Sequence, residues 1–85
     1  MKLIRTDRFL RDYRDLPAEM QARTDAKLRR LVDDIRHPSL RVKRVRKYDG
    51  VYEASINMQY RLLFAIADEG YVLLRIGRHD ILEKL

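Results

Sequence analysis

Hydrophobic positions change their period once along this chain. Up to about residue 36 they recur every three or four residues, and from Val51 to His79 they alternate. The first period is that of an amphipathic helix and the second that of a half-buried strand. Lys2 to Arg5 reads as a short first strand. Thr6 then offers an N-cap oxygen, and Asp7 a charge favourable to the first helical turn. Phe9, Leu10, Tyr13 and Leu16 give this helix one apolar face. Pro17 suits the start of a second helix, where its missing N–H leaves no intrahelical bond unmade. Met20, Thr24, Leu28, Leu31, Val32 and Ile35 mark a buried stripe that runs to about Arg36. Pro38 then biases His37 away from helical geometry and stops the helix. His37, at this helix end, reads as structural, interacting with terminal carbonyls.

The second half predicts a meander of strands. Arg41 to Lys47 is a basic stretch, Tyr48-Asp49-Gly50 a turn, Val51 to Asn57 a strand, and Tyr60 to Ala67 another. Asp68-Glu69-Gly70 is a hairpin turn and Tyr71 to His79 the last strand. Strands joined by such short turns pair antiparallel. The predicted class is α+β: an N-terminal β-strand and a helical hairpin packed on one face of an antiparallel β-sheet, in one domain spanning residues 1–85.

Alternation also divides the side chains between two faces. Tyr52, Ala54 and Ile56, then Leu62, Phe64 and Ile66, then Val72, Leu74 and Ile76 form the core-facing sets. Glu53, Arg61, Arg75 and His79 then gather on the opposite face, which is expected to be open. A carboxylate, two arginines and an imidazole there resemble a parts list for phosphodiester cleavage. A base takes the 2′-hydroxyl proton, an acid protonates the leaving 5′-oxygen, and arginines hold the phosphate. The same residues also suit a plain solvated sheet face with a cross-strand ion pair.

Charge narrows the partners. Nineteen Lys and Arg against thirteen Asp and Glu leave +6 and a pI near 10.0. Such a balance suits nucleic acid or an acidic protein. A membrane role is not expected, because the helices spend their apolar faces on a core and no apolar run could span a bilayer. No cysteine is present and only two histidines, so neither a metal centre nor a cofactor is expected. A cytoplasmic location is expected by default. The run from Arg41 to Lys47 reads as a phosphate-contacting ridge or as a protected edge strand. Tyr48 beside it is a candidate to stack on a base.

Four segments, in this order, carry a resemblance: His37-Pro38-Ser39-Leu40 followed by the basic run, Gly50 to Ile56, Tyr60-Arg61-Leu62-Leu63-Phe64, and Ile76-Gly77-Arg78-His79-Asp80. Together they resemble the RelE/ParE superfamily of bacterial toxins. The resemblance implies a toxin neutralised by a cognate antitoxin protein and, on the RelE-like branch, a metal-independent ribonuclease that cleaves mRNA in the ribosomal A site and so inhibits translation. Arg61 matches the arginine that contacts the scissile phosphate, and His79 the C-terminal catalytic position. Lys43, Arg44 and Arg46 fall among basic catalytic or RNA-binding residues. Arg75, from the face pattern, and Arg78 beside His79 are expected as further phosphate contacts. Asp80 departs from the aromatic or other polar residue of several members. Glu53 as general base comes from the face pattern alone. The alternatives are ParE-like inhibition of DNA gyrase without catalysis, or an inactive relative that only binds antitoxin.

Overall fold

A computed structural model describes residues 1–83 and 85. Strand β1 (Lys2–Arg5) leads into α1 (Asp7–Arg14) and α2 (Ala18–Asp33), and a 3-10 turn (Pro38–Leu40) follows. The chain continues through β2 (Lys43–Arg44), β3 (Val51–Ser55), β4 (Tyr60–Ile66) and β5 (Gly70–Arg78), and then a second 3-10 turn (His79–Glu83). The five strands form one sheet in the order β1-β5-β4-β3-β2. The α+β class is therefore as expected. The N-terminal strand, however, is part of the sheet and lies parallel to β5, while the other pairings are antiparallel.

Thr6 makes the β1–α1 junction. Its hydroxyl accepts from the Phe9 N–H at 3.1 Å, capping α1, and donates to the Leu73 carbonyl at 2.7 Å, continuing the ladder to β5. The hairpin is closed by Gln21, which donates to the Tyr13 carbonyl, and by the Tyr13 hydroxyl, which donates to Asp25 at 2.8 Å. That bond raises the Tyr13 pKa, with desolvation adding to it. Helix α2 ends at Asp33, earlier than its stripe predicts. Asp34 adopts an extended backbone and its carboxylate accepts the Arg36 N–H at 3.0 Å, a local bond that competes with helix continuation. Pro38 opens a 3-10 turn instead of stopping a helix. His37 caps that turn through Nδ1, which accepts from the Ser39 N–H; the imidazole is structural, but it does not bond helix carbonyls.

The main core lies between the helices and the sheet. Phe9, Leu28, Leu31 and Leu40 pack on Ala54, Ile56, Leu62, Phe64, Tyr71, Leu73 and Ile76. Each fully buried large side chain contributes about 1.5–3 kcal/mol. Three members of the predicted apolar faces are exposed: Leu10, Val32 and Ile66. The last strand also breaks the expected alternation. Leu63 pairs with Arg75 but Phe64 pairs with Leu73, so Leu74 is an extra residue in β5. Such a bulge reverses the facing of everything beyond it. Leu73, expected on the open face, is fully buried in the main core.

The face expected to be open is partly covered. The second 3-10 turn folds back so that Ile81 packs with Val51 and Leu63, and Val45, Tyr48, Leu74 and Leu82 lie around them. Gly77 permits this return, since a β-carbon there would meet Ile81 Cγ2 at 2.8 Å.

Candidate functional site

Four residues proposed for one open face go to three different places. Arg75 turns toward α1. Its Nε meets the Asp12 carboxylate at 2.7 Å and its Nη2 at 3.2 Å, and the same carboxylate accepts the Ile76 N–H. This pair is nearly buried, with Arg75 only 9% exposed. It satisfies the β5 edge where β1 has ended. Arg75 is therefore a structural residue tying helix to sheet, in contrast to the expected phosphate contact.

Glu53 lies beneath the second face, 5% exposed, with Lys43 at 3.2 Å from Oε1. Its Oε2 has no hydrogen-bond partner among the described residues. It shares a cross-strand row with Leu63 and Arg75. His79 lies four residues further along, so the two backbones are separated by roughly 13 Å along the strand and about 10 Å across it. Glu53 is buried and does not line the cleft that holds His79, so the structure does not bring the expected base and acid together.

Arg61 and His79 do come together. With Met58, Gln59, Arg78 and Asp80 they line a shallow cleft of about 420 Å³ at the end of the β4–β5 pair. The His79 N–H donates to the Gln59 carbonyl at 2.9 Å, which fixes where the imidazole leaves the sheet. Arg61 is anchored through Nη1, which donates to the carbonyls of Met58 at 3.0 Å and Tyr60 at 3.1 Å, and to that of Asn57. The turn carrying those carbonyls is shaped by the Asn57 side chain, which accepts from the N–H groups of Gln59 and Tyr60. With Nη1 occupied, the Nε–Nη2 edge of Arg61 has no partner among the described residues. That two-pronged edge matches the geometry of a phosphate. Arg78 lies over the Tyr60 ring at 5.7 Å, beside the same cleft.

Asp80 also lines this cleft, a placement not inferred from sequence. The missing signal was the end of the strand. Once β5 stops at Arg78, a 3-10 turn can direct two successive side chains to one side, which a strand cannot.

The basic run is less free than its density suggests. Lys43 faces Glu53, Arg44 lies 3.9 Å from Asp49, and Lys47 lies 2.9 Å from Glu83. The last bond raises the Lys47 pKa and lowers that of Glu83, in each case chiefly through the hydrogen bond itself. Tyr48, expected to stack on a base, is half-buried in the second core, with Lys47 over its ring. Arg46 is exposed and has no ion-pair partner among the described residues. No group of three potential metal ligands occurs among the described residues, and no helix is long and apolar enough to cross a membrane.

Known structures share this architecture. A chain of the RelB–RelE antitoxin–toxin complex from Methanococcus jannaschii is 12% identical with a TM-score of 0.77, over 95% of both chains. The YoeB/ParE toxin from Agrobacterium tumefaciens is 18% identical at 0.75, over 93% of this chain and 99% of that one. A chain of the RelBE2 toxin–antitoxin complex from Mycobacterium tuberculosis is 26% identical at 0.62, over 92% and 96%. No curated protein sequence matches. The superfamily resemblance is borne out in fold and in sequence family alike. Residues 3–82 match the ParE toxin of the type II toxin–antitoxin system parDE, and the chain belongs to that family, as a toxin whose partner is a cognate antitoxin.

Proposed function

We propose that this toxin is a metal-independent endoribonuclease that cuts mRNA on the ribosome. The observation carrying this reading is the shared cleft of Arg61 and His79, an anchored guanidinium with a free edge beside an exposed imidazole. In the proposed reaction the 2′-oxygen attacks phosphorus, and the 5′-oxygen leaves with a proton from His79. The product is a 2′,3′-cyclic phosphate. Arg61 holds the phosphate oxygens as their charge rises, with Arg78 beside it. Asp80, in the same cleft, replaces Glu53 as the group that receives the 2′-hydroxyl proton.

Brief induction followed by mapping of mRNA 5′ ends tests this reading. Wild type is expected to cut within reading frames, and His79→Ala or Arg61→Ala to lower the rate roughly 10²–10⁴-fold. Asp80→Asn is expected to act similarly while leaving RNA binding intact. Full toxicity in both the His79 and Arg61 variants sinks the mechanism. Gyrase inhibition is the second reading, favoured by the family match to a ParE toxin and by the removal of Glu53 and Arg75 from the cleft. It predicts loss of supercoiling activity by purified gyrase, intact mRNA, and a dispensable His79.

A further inference from the structure

Arg61 borders two clefts. The second, about 330 Å³, lies between α2, the first 3-10 turn and the β3–β4 turn. Lys27, Ser39, Arg41 and Ser55 line it together with Arg61. Ser55 is the cross-strand partner of Arg61, so the hydroxyl and the guanidinium start from one row of the sheet. Met58 and Arg61 line both clefts and form the ridge between them.

Three features set this cleft apart. Its lining holds three cations and no carboxylate. None of the three is in an ion pair among the described residues, whereas Lys43, Arg44 and Lys47 of the basic run each face a carboxylate. The positive charge left unneutralised beside Arg61 therefore comes from Lys27 on α2 and from Arg41 at the start of the basic run, not from Lys43, Arg44 or Lys47. Lys27 and Arg61 are also held in place by backbone carbonyls. Lys27 Nζ donates to the Ser39 carbonyl at 3.0 Å, leaving further ammonium protons for another acceptor. Arg41 has a left-handed backbone at φ 48°, the only non-glycine residue described with positive φ. An asparagine or glycine would occupy that conformation at lower cost. Here the left-handed residue ends the 3-10 turn, its N–H donating to the Pro38 carbonyl at 3.2 Å, and its side chain has no partner among the described residues.

We propose that this cleft is a phosphate subsite for an RNA strand that crosses the Met58–Arg61 ridge from the His79 cleft. The proposal deepens the ribonuclease reading and rests on it for the identity of the strand. A backbone running over the ridge places one phosphate between Arg61 and His79 and a neighbouring phosphate among Lys27, Arg41 and the two serine hydroxyls. Cations and hydroxyls with no acid among them select an acceptor-only ligand, as a phosphodiester is.

The test uses the full chain and an uncleavable 2′-O-methyl RNA oligonucleotide, with affinity followed by fluorescence anisotropy across a salt series. Lys27→Gln and Arg41→Asn are each expected to weaken binding about 5- to 10-fold at low salt and to reduce the salt slope by about 0.7. Asparagine at 41 tolerates the left-handed backbone, so thermal stability should hold and misfolding is controlled. Arg8→Gln, on α1 away from the cleft, removes the same charge and is expected to change affinity far less. Equal effects from all three variants, unchanged binding in the first two, or no binding by wild type each overturn the subsite. A poly-glutamate peptide that binds more tightly than the RNA, with the same dependence on Lys27 and Arg41, overturns the RNA assignment in favour of an acidic protein. Intact oligonucleotide binding without any mRNA cleavage overturns the nuclease reading and leaves the subsite standing.

Discussion

The two faces of the sheet are covered by very different amounts of chain. One face meets two helices around a core of eleven buried residues contributed by both layers. The other meets a five-residue turn and a loop, around a buried group of Val51, Leu63 and Ile81. The thick face has enough apolar surface to hold the fold. The thin face is closed by Ile81, two residues past His79. Stability and the placement of the candidate chemistry are therefore carried by separate layers, and a substitution in the thin layer should move the site more than the fold.

Truncation in each layer gives the largest expected contrast. Phe64→Ala in the thick layer should cost about 3–5 kcal/mol, read from urea unfolding, and most of this stability belongs to the helix-facing core. Ile81→Ala in the thin layer should cost about 2 kcal/mol, because its neighbours can close over the gap. Equal losses would break the division between the layers.

Gly77→Ala is the more selective probe. The new methyl would press on Ile81 Cγ2, at a cost of about 1–2 kcal/mol. It should displace the turn that carries His79 and Asp80. On the ribonuclease reading, mRNA cleavage falls more than the stability loss accounts for. Adding Ile81→Leu removes the branch that clashes and should restore cleavage. A double variant no better than the single one would show that the turn is not positioned by this contact.

The smallest effect concerns the tie between the thin layer and the basic loop. Glu83 has a lowered pKa and Lys47 a raised one, each through their mutual bond. The Glu83 contribution is present above the ordinary value of 4.5 and is lost as pH falls through the lowered one. The Lys47 contribution is present below the ordinary 10.5 and is lost as pH rises through the raised one. Amide protection factors in the last turn, with the intrinsic exchange rate divided out, should thus be flat across neutral pH and fall in acid below the usual glutamate range. Lys47→Met should remove that acid step. An acid step that persists in Lys47→Met would assign it to another carboxylate.

Much of the fold was legible in the sequence because its signals are local. Thr6 and Asp7 announce α1, Pro17 opens α2, Gly50 takes the turn at positive φ, and alternation marks β3 and β4. Local reading failed where two local signals compete. Ile35 continues the helical stripe, but the Asp34 side chain ends the helix first. It failed in β5 for another reason. The bulge at Leu74 is set by pairing with β4, and no residue there differs from an ordinary strand former.

The site divides along the same line. Arg61 and His79 could be named from residue type and resemblance, and they share a cleft. Glu53 and Arg75 were misjudged because a face can be called open only when everything that returns to it is known. A salt bridge 63 residues long in sequence claimed Arg75, and Lys43 with a returning C-terminal turn enclosed Glu53.

By itself the sequence determined the elements, their order, the net positive charge and the family. These follow from spacing, capping and composition, which act over a few residues or over the chain as a sum. Only the tertiary structure decided which cations stay unneutralised and which carboxylate lines the cleft with the imidazole. Pairing and burial depend on distances between residues far apart in sequence, and those are set only when the sheet and its two coverings pack.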